Sequence, residues 1–241
     1  MTMTPIEPTI WDFVIVATLA AVLPAYTAFY TLPRLLRLPR ATIETIRSRV
    51  YVQSLVTQWL FAGAALQLVL LRGYAWSDIG LALPTGNGLL IGAAIIGGLA
   101  ALLVIQHIRL RRNPEGRALV RHALQRVEWI LPRTQPQRRL WWVVSAHAGW
   151  GEELMYRGFV FALLASLLPL WAAAGASCIL FGLAHAYQGV RGIVLTSVLG
   201  SAFVGMYLLT GSLWVPIAAH ALYDIHAGEL GFWAFARDDD D

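Results

Sequence analysis

The sequence predicts an all-α fold, a polytopic transmembrane helix bundle of about seven spans. Three observations predict it. Of 241 residues, 58% are hydrophobic and 13% charged, where a soluble domain carries roughly 25% charge. Mean hydropathy is +0.61. Apolar stretches long enough to cross a bilayer recur along the chain, and 14 of its 18 basic residues, all Arg, sit in two of the loops between them.

That placement also excludes a function class. A pI near 9.6 would suit nucleic-acid binding, but Arg gathered in inter-span loops sets topology instead, so no nucleic-acid partner is expected. The single cysteine, Cys178, rules out an intrachain disulfide and any multi-cysteine metal site. The first apolar stretch begins near Ile10 without a basic segment before it, so it reads as a span and not as a cleavable signal peptide.

In order, span 1 is expected over 10–32, followed by a basic loop with Arg34, Arg37, Arg40, Arg47 and Arg49. Span 2 follows over 50–71. A short loop around Trp76 and Asp78 leads to span 3 over 89–108, where Gly92, Gly97 and Gly98 permit close helix packing. Residues 109–140 form the longest polar stretch, with nine Arg. Within it, 118–130 places Val120, Leu124, Val127 and Leu131 at helical spacing among Arg117, Arg121 and Arg126. This suits either a basic amphipathic helix on an anionic membrane face or a solvated loop helix. Spans 4 to 7 are expected over 141–168, 170–187, 193–209 and 213–230. The end, Arg237 and four Asp, reads as a disordered acidic tail over 231–241. No internal repeat of the transporter kind is visible.

Both Arg-rich loops belong in the cytoplasm by the positive-inside rule, which puts the N-terminus outside and, with seven spans, the C-terminus inside. Glu152 then lies about 17 Å into span 4 from Trp141, near the middle of a ~30 Å core.

The chemistry-bearing feature is Glu152-Glu153-Leu154-Met155-Tyr156-Arg157 inside span 4. A charge near the bilayer centre costs about 2.5–3.5 kcal/mol on insertion scales, so ionisable groups kept there usually line a wet cavity and do chemistry. Glu153 and Arg157 are four apart and share a helix face, where they can neutralise each other. Glu152 points about 100° away from that Arg. An unmatched buried carboxylate suits a general base; the bland alternative is one packing network of all three. Phe181 and His185 are four apart in span 5, and His220 and Asp224 four apart in span 7. His147 and His226 flank the cluster in sequence as supporting or interfacial groups, while His107 and His122 lie at the cytoplasmic border. Cys178, seven before His185, allows a Cys–His dyad geometrically, although a free Cys in an apolar helix is more often a packing residue.

Glu-Glu-x-x-x-Arg, Phe-x-x-x-His and His-x-x-x-Asp, in that order on three apolar helices, resemble the CAAX protease and bacteriocin-processing (CPBP, or Abi) family of intramembrane endopeptidases. The likeness covers about residues 141–230, which it marks as the catalytic core, with 1–140 contributing helices and the basic loop. The family's first motif matches Glu152, Glu153 and Arg157, and its second Phe181 and His185. Its third is usually His-x-x-x-Asn; here His220 matches and Asp224 replaces Asn. The resemblance implies that Glu152, assisted by His185, activates water for attack on a peptide carbonyl. His220, with Asp224, would stabilise the oxyanion. Glu153 and Arg157 would support the site or bind the substrate's carboxylate end. A Glu/His cluster also looks like a zinc site, but the resemblance implies hydrolysis with no obligatory metal or other cofactor.

The expected partners are a hydrophobic peptide or protein substrate and the lipid bilayer, and the sequence does not define an oligomeric state. Its small size and Arg-only basic set suggest a bacterial inner-membrane protein, so CAAX-type processing stands beside cleavage of a bacterial peptide or anchor. A proton-coupled transporter using the same carboxylates, or a silent scaffold or immunity protein, are the alternatives.

Overall fold

The computed structural model describes residues 7–236; the acidic run at 238–241 lies outside the described residues. No strand occurs among the described residues, and the fold is an all-α bundle. We number its helices α1 (Ile10–Leu36), α2 (Arg40–Leu71), α3 (Gly86–Arg112), α4 (Gly116–Leu124), α5 (residues 135–167), α6 (Leu170–Ala184), α7 (Gly189–Thr210) and α8 (Trp214–Phe235).

Seven of the eight coincide with the expected spans, yet four are long and apolar enough to cross a membrane by that measure alone: 10–36, 40–71, 86–112 and 186–210. The three that fall short are those that carry the polar motifs. Ionisable residues interrupt α5 and α8, and α6 is only 15 residues long. They are sheltered by the other helices, which is how a membrane protein holds such groups.

Helix α1 contains Pro24 and Pro33 and alternates between α and π geometry, the local adjustment that lets a spanning helix re-satisfy backbone groups around proline. Helix α5 is the central element. It begins after Thr134, whose hydroxyl caps the amide of Gln137. It continues through Glu153 into a π-helical stretch, Leu154–Val160, and ends as α-helix at Leu167. Every residue from 153 to 163 is buried. Its partners in the core are Ala62, Ala65 and Val69 of α2, Phe181 of α6, Val204 and Tyr207 of α7, and Ile217 of α8. Gly149 fixes the closest approach: a Cβ there would stand 2.7 Å from the Ile217 carbonyl oxygen. Only glycine lets α5 and α8 lie this close, and the site depends on that proximity.

The two Arg-rich loops meet on one face. Arg47 Nε donates to the Trp129 carbonyl at 3.0 Å and its Nη1 to Gln137 Oε1 at 3.3 Å. On this same face Arg121 Nε donates to the Ala234 carbonyl at 2.6 Å, and Arg133 to that of Phe235. Both bonds satisfy orphan carbonyls at the C-terminus of α8, where cations also meet the negative end of the helix dipole. At the other end of α2, buried Asp12 pairs with Arg72 at 2.9 Å, and Ser212 and Trp214 close onto the Ala82 and Leu81 carbonyls. Residues 7–12, 72–85 and 211–214 therefore share the opposite face.

The amphipathic stretch differs from expectation. The helix stops at Leu124, and 125–130 continue as turns. Its buried Val120 packs on Leu230 and Ala234. Helix α8 runs five residues past its expected end to Phe235, so the protein supplies the apolar surface that a membrane would otherwise have to provide.

Candidate active site

Four helices converge on Glu152. Position 152 is the penultimate residue of the α-helical part of α5, and Glu153 ends it. Glu153 and Arg157 are completely buried and paired, Oε1 to Nη1 at 2.8 Å. Arg157 Nη2 donates further to the Gly200 carbonyl of α7 at 3.1 Å, and its guanidinium lies 4.2 Å from the centre of the Phe181 ring. The expected i,i+4 pair thus exists, and it stitches α5 to α6 and α7. Neither side chain of the pair has exposed surface.

Helix α6 is short for a reason that matters. It ends at His185, whose amide bonds to the Gly182 carbonyl, and a tight turn, Ala186–Gln188, leads into α7. A helix of 15 residues spans only about 22 Å, so its end stays inside the bundle and His185 meets Glu152. The His185 Nδ1 lies 2.9 Å from the Phe181 carbonyl oxygen. A carbonyl only accepts, so Nδ1 carries the proton, and in the neutral ring Nε2 presents a lone pair. That Nε2 is 3.7 Å from Glu152 Oε2.

His220 of α8 is buried and lies parallel to the Phe203 ring, 4.9 Å between centroids. Its Nδ1 is held by Glu153 Oε1 at 2.9 Å. Its Nε2 faces Glu152 Oε2 at 4.0 Å and Asp224 Oδ2 at 3.5 Å. Asp224 is the most exposed member of the cluster, 31% for its side chain, and its backbone carbonyl accepts from Trp141 Nε1 at 2.9 Å. Glu153 therefore already orients His220, which frees Asp224 from that task.

Glu152 is not unpartnered, as its sequence position suggested. Gln58 Nε2 of α2 donates to its Oε1 at 3.3 Å. The other oxygen, Oε2, is buried and makes no hydrogen bond to the protein. Sequence reasoning missed Gln58, Phe203 and Tyr187, whose ring lies 5.9 Å from that of His185. An amide in mid-span was the one available signal for Gln58; nothing local marked the other two.

The remaining candidates lie apart. His147 donates to the Val143 carbonyl and sits against Trp59. His226 bonds to Gln106 and packs on His107. His122 is exposed. Cys178 is buried in the core, and no contact found among the described residues joins it to His185, which leaves it a packing residue. Among the described residues no group of three or more His, Cys, Asp or Glu has the arrangement to hold a metal ion.

Residues 134–226 match the family model described as Rce1-like, type II CAAX prenyl endopeptidase. The matched segment runs from the cap of α5 to His226, within α8, and includes all seven motif residues. No curated protein and no solved structure matches the chain.

Proposed function

We propose that this chain, an integral membrane protein whose residues 134–226 match the Rce1-like family model, is an intramembrane endopeptidase that cleaves a hydrophobic peptide or membrane-anchored protein by glutamate and histidine activation of water. The observation that supports it best is a pair of facing acceptors. Glu152 Oε2 and His185 Nε2 lie 3.7 Å apart, too far for a direct hydrogen bond, and both accept, so a water beside them can donate to each. A water there donates one proton to each and turns its own lone pair outward.

Attack of that oxygen on a peptide carbonyl transfers a water proton to Glu152 and places negative charge on the carbonyl oxygen. His220, protonated at Nε2 and held at Nδ1 by Glu153, donates to that oxyanion, with Asp224 beside it. Collapse breaks the C–N bond and the amine leaves with the proton that Glu152 took; the second water proton passes to His185 Nε2 and on to solvent, so the acyl part leaves as a carboxylate. Glu153 fixes His220, and its pair with Arg157 fixes the helix that carries Glu152. No step requires a cofactor from these residues. The membrane we assign is a bacterial inner membrane, with the Arg-rich face in the cytoplasm.

The test is a comparison of protein termini in membranes of cells making the wild type or Glu152→Gln. New termini present only with the wild type, regenerated by purified enzyme, are expected. Identical termini in both, together with no cleavage by the purified protein, would reject the endopeptidase.

A further inference from the structure

A cavity of about 700 Å³ opens on the Arg-rich face beside the site, and the catalytic reading does not use it. Its apolar wall comes from the end of α1, Leu32 and Leu36, with Ile43 of α2. Leu36 is 54% exposed, so this wall continues onto the flank of α1, a helix long and apolar enough to cross a membrane. Its polar rim is unbalanced. Four arginines line the cavity against two glutamates, Glu44 and Glu128. Arg47 and Arg133 are committed to Trp129, Gln137, Phe235 and Glu128. Arg40 and Arg126 are exposed and make no ion pair or hydrogen bond among the described residues.

Three further features point the same way. Arg126 is seated over the start of α7: its Nη1 would lie 2.5 Å from a Cβ at Gly189, whose φ of +78° already favours glycine. Arg40 and Gly189, the first residues of α2 and α7, both line the cavity, and neither helix start has a side-chain cap, so the positive dipole ends of two helices border it. Trp129 also lines it, and its indole N–H is buried without an acceptor.

We propose that this cavity binds the phosphate headgroup of one anionic phospholipid from the leaflet on the Arg-rich face, with the phosphate between Arg40 and Arg126 and an acyl chain along Leu32 and Leu36. Guanidinium groups match phosphate oxygens in pairs. A basic pocket between helices at a membrane surface suits a lipid headgroup. The apolar wall favours a lipid over a free phosphate, which has nothing to place there.

The test uses the full-length protein, purified in a neutral detergent and delipidated, with binding read by native mass spectrometry. The probes are phosphatidylglycerol, phosphatidylcholine and inorganic phosphate. One phosphatidylglycerol per protein is expected to bind in preference to phosphatidylcholine and to resist millimolar phosphate. At about 1 kcal/mol for each Arg near such a surface, the double variant Arg40→Gln/Arg126→Gln should bind it roughly thirtyfold more weakly. Arg37→Gln/Arg49→Gln removes the same charge from this face but outside the cavity and should keep the affinity. Equal weakening in both double variants, or weakening in neither, overturns the site. Displacement of the lipid by inorganic phosphate overturns the lipid and assigns the cavity to a soluble anion. Because the readout is binding, this result stands or falls independently of proteolysis.

Discussion

His185 presents Nε2 to Glu152 Oε2 at 3.7 Å while its Nδ1 is committed to the Phe181 carbonyl. The pair is therefore a two-acceptor clamp in which neither group can be replaced by a donor. Glu152→Gln removes the base and presents an amide of nearly the same shape, with Gln58 still beside it. It should lower kcat by about 10²–10⁴, the usual worth of a positioned general base. His185→Ala should fall in the same range. Both proteins should insert and melt like the wild type, because the two side chains are partly exposed. Near-normal turnover by either variant would remove it from the water-activating pair.

Arg157 makes a different prediction. It is completely buried against Glu153 and the Gly200 carbonyl, and removing one partner of a buried pair leaves an uncompensated charge at a cost of about 3–5 kcal/mol. Arg157→Met should lower thermal stability sharply. The double variant Glu153→Gln/Arg157→Met should recover much of that stability but not activity, since Glu153 also holds His220 Nδ1. Melting temperature and turnover, measured together, separate the two roles.

Hydrolysis should survive dialysis of the purified enzyme against a strong chelator, with metal content followed by elemental analysis. Stoichiometric zinc whose removal and return switched turnover off and on would replace the carboxylate mechanism with a metal one.

The two faces give a labelling experiment in a Cys178→Ala background. Exposed Ala41 and Glu115 lie on the Arg-rich face and exposed Asn87 near the other. An impermeant thiol reagent on intact cells should label Asn87→Cys and neither Ala41→Cys nor Glu115→Cys until the cells are broken. The reverse pattern inverts the proposed orientation.

Asp224 is where the chain departs from the His-x-x-x-Asn motif of the family it resembles. With His220 oriented by Glu153, Asp224→Asn should retain or raise activity, because an amide always has a donor for the oxyanion. Asp224→Ala should lower it. An inactive Asn variant would show that Asp224 serves His220 as a carboxylate acceptor.

How much of this was written locally in the chain varies by residue. The Glu153–Arg157 pair was legible because i,i+4 contacts are fixed by helix geometry alone. The identity of the motif helices followed from polar groups that only a shared cavity could justify. Gln58 was not legible as Glu152's partner, since the contact crosses from α2 to α5 and no short-range pattern encodes it. The early end of α6 was also hidden: the apolar run continues through Ala186 and Tyr187, and hydropathy extends the helix where the turn in fact begins. The amphipathic pattern of 118–130 misled for a related reason, as periodicity reports an apolar face but not what covers it.

The cluster draws Gln58, Glu152, His185 and His220 from α2, α5, α6 and α8. Of the described helices, α8 is the last to leave the ribosome. Until it docks against Gly149, Glu152 has no His220 nearby and Glu153 and Arg157 lack the helix that seals them. If the chain is the peptidase proposed above, its site would be incomplete throughout synthesis and insertion. On that reading, activity would begin only when α8 closes the bundle, so the order of assembly itself would delay it.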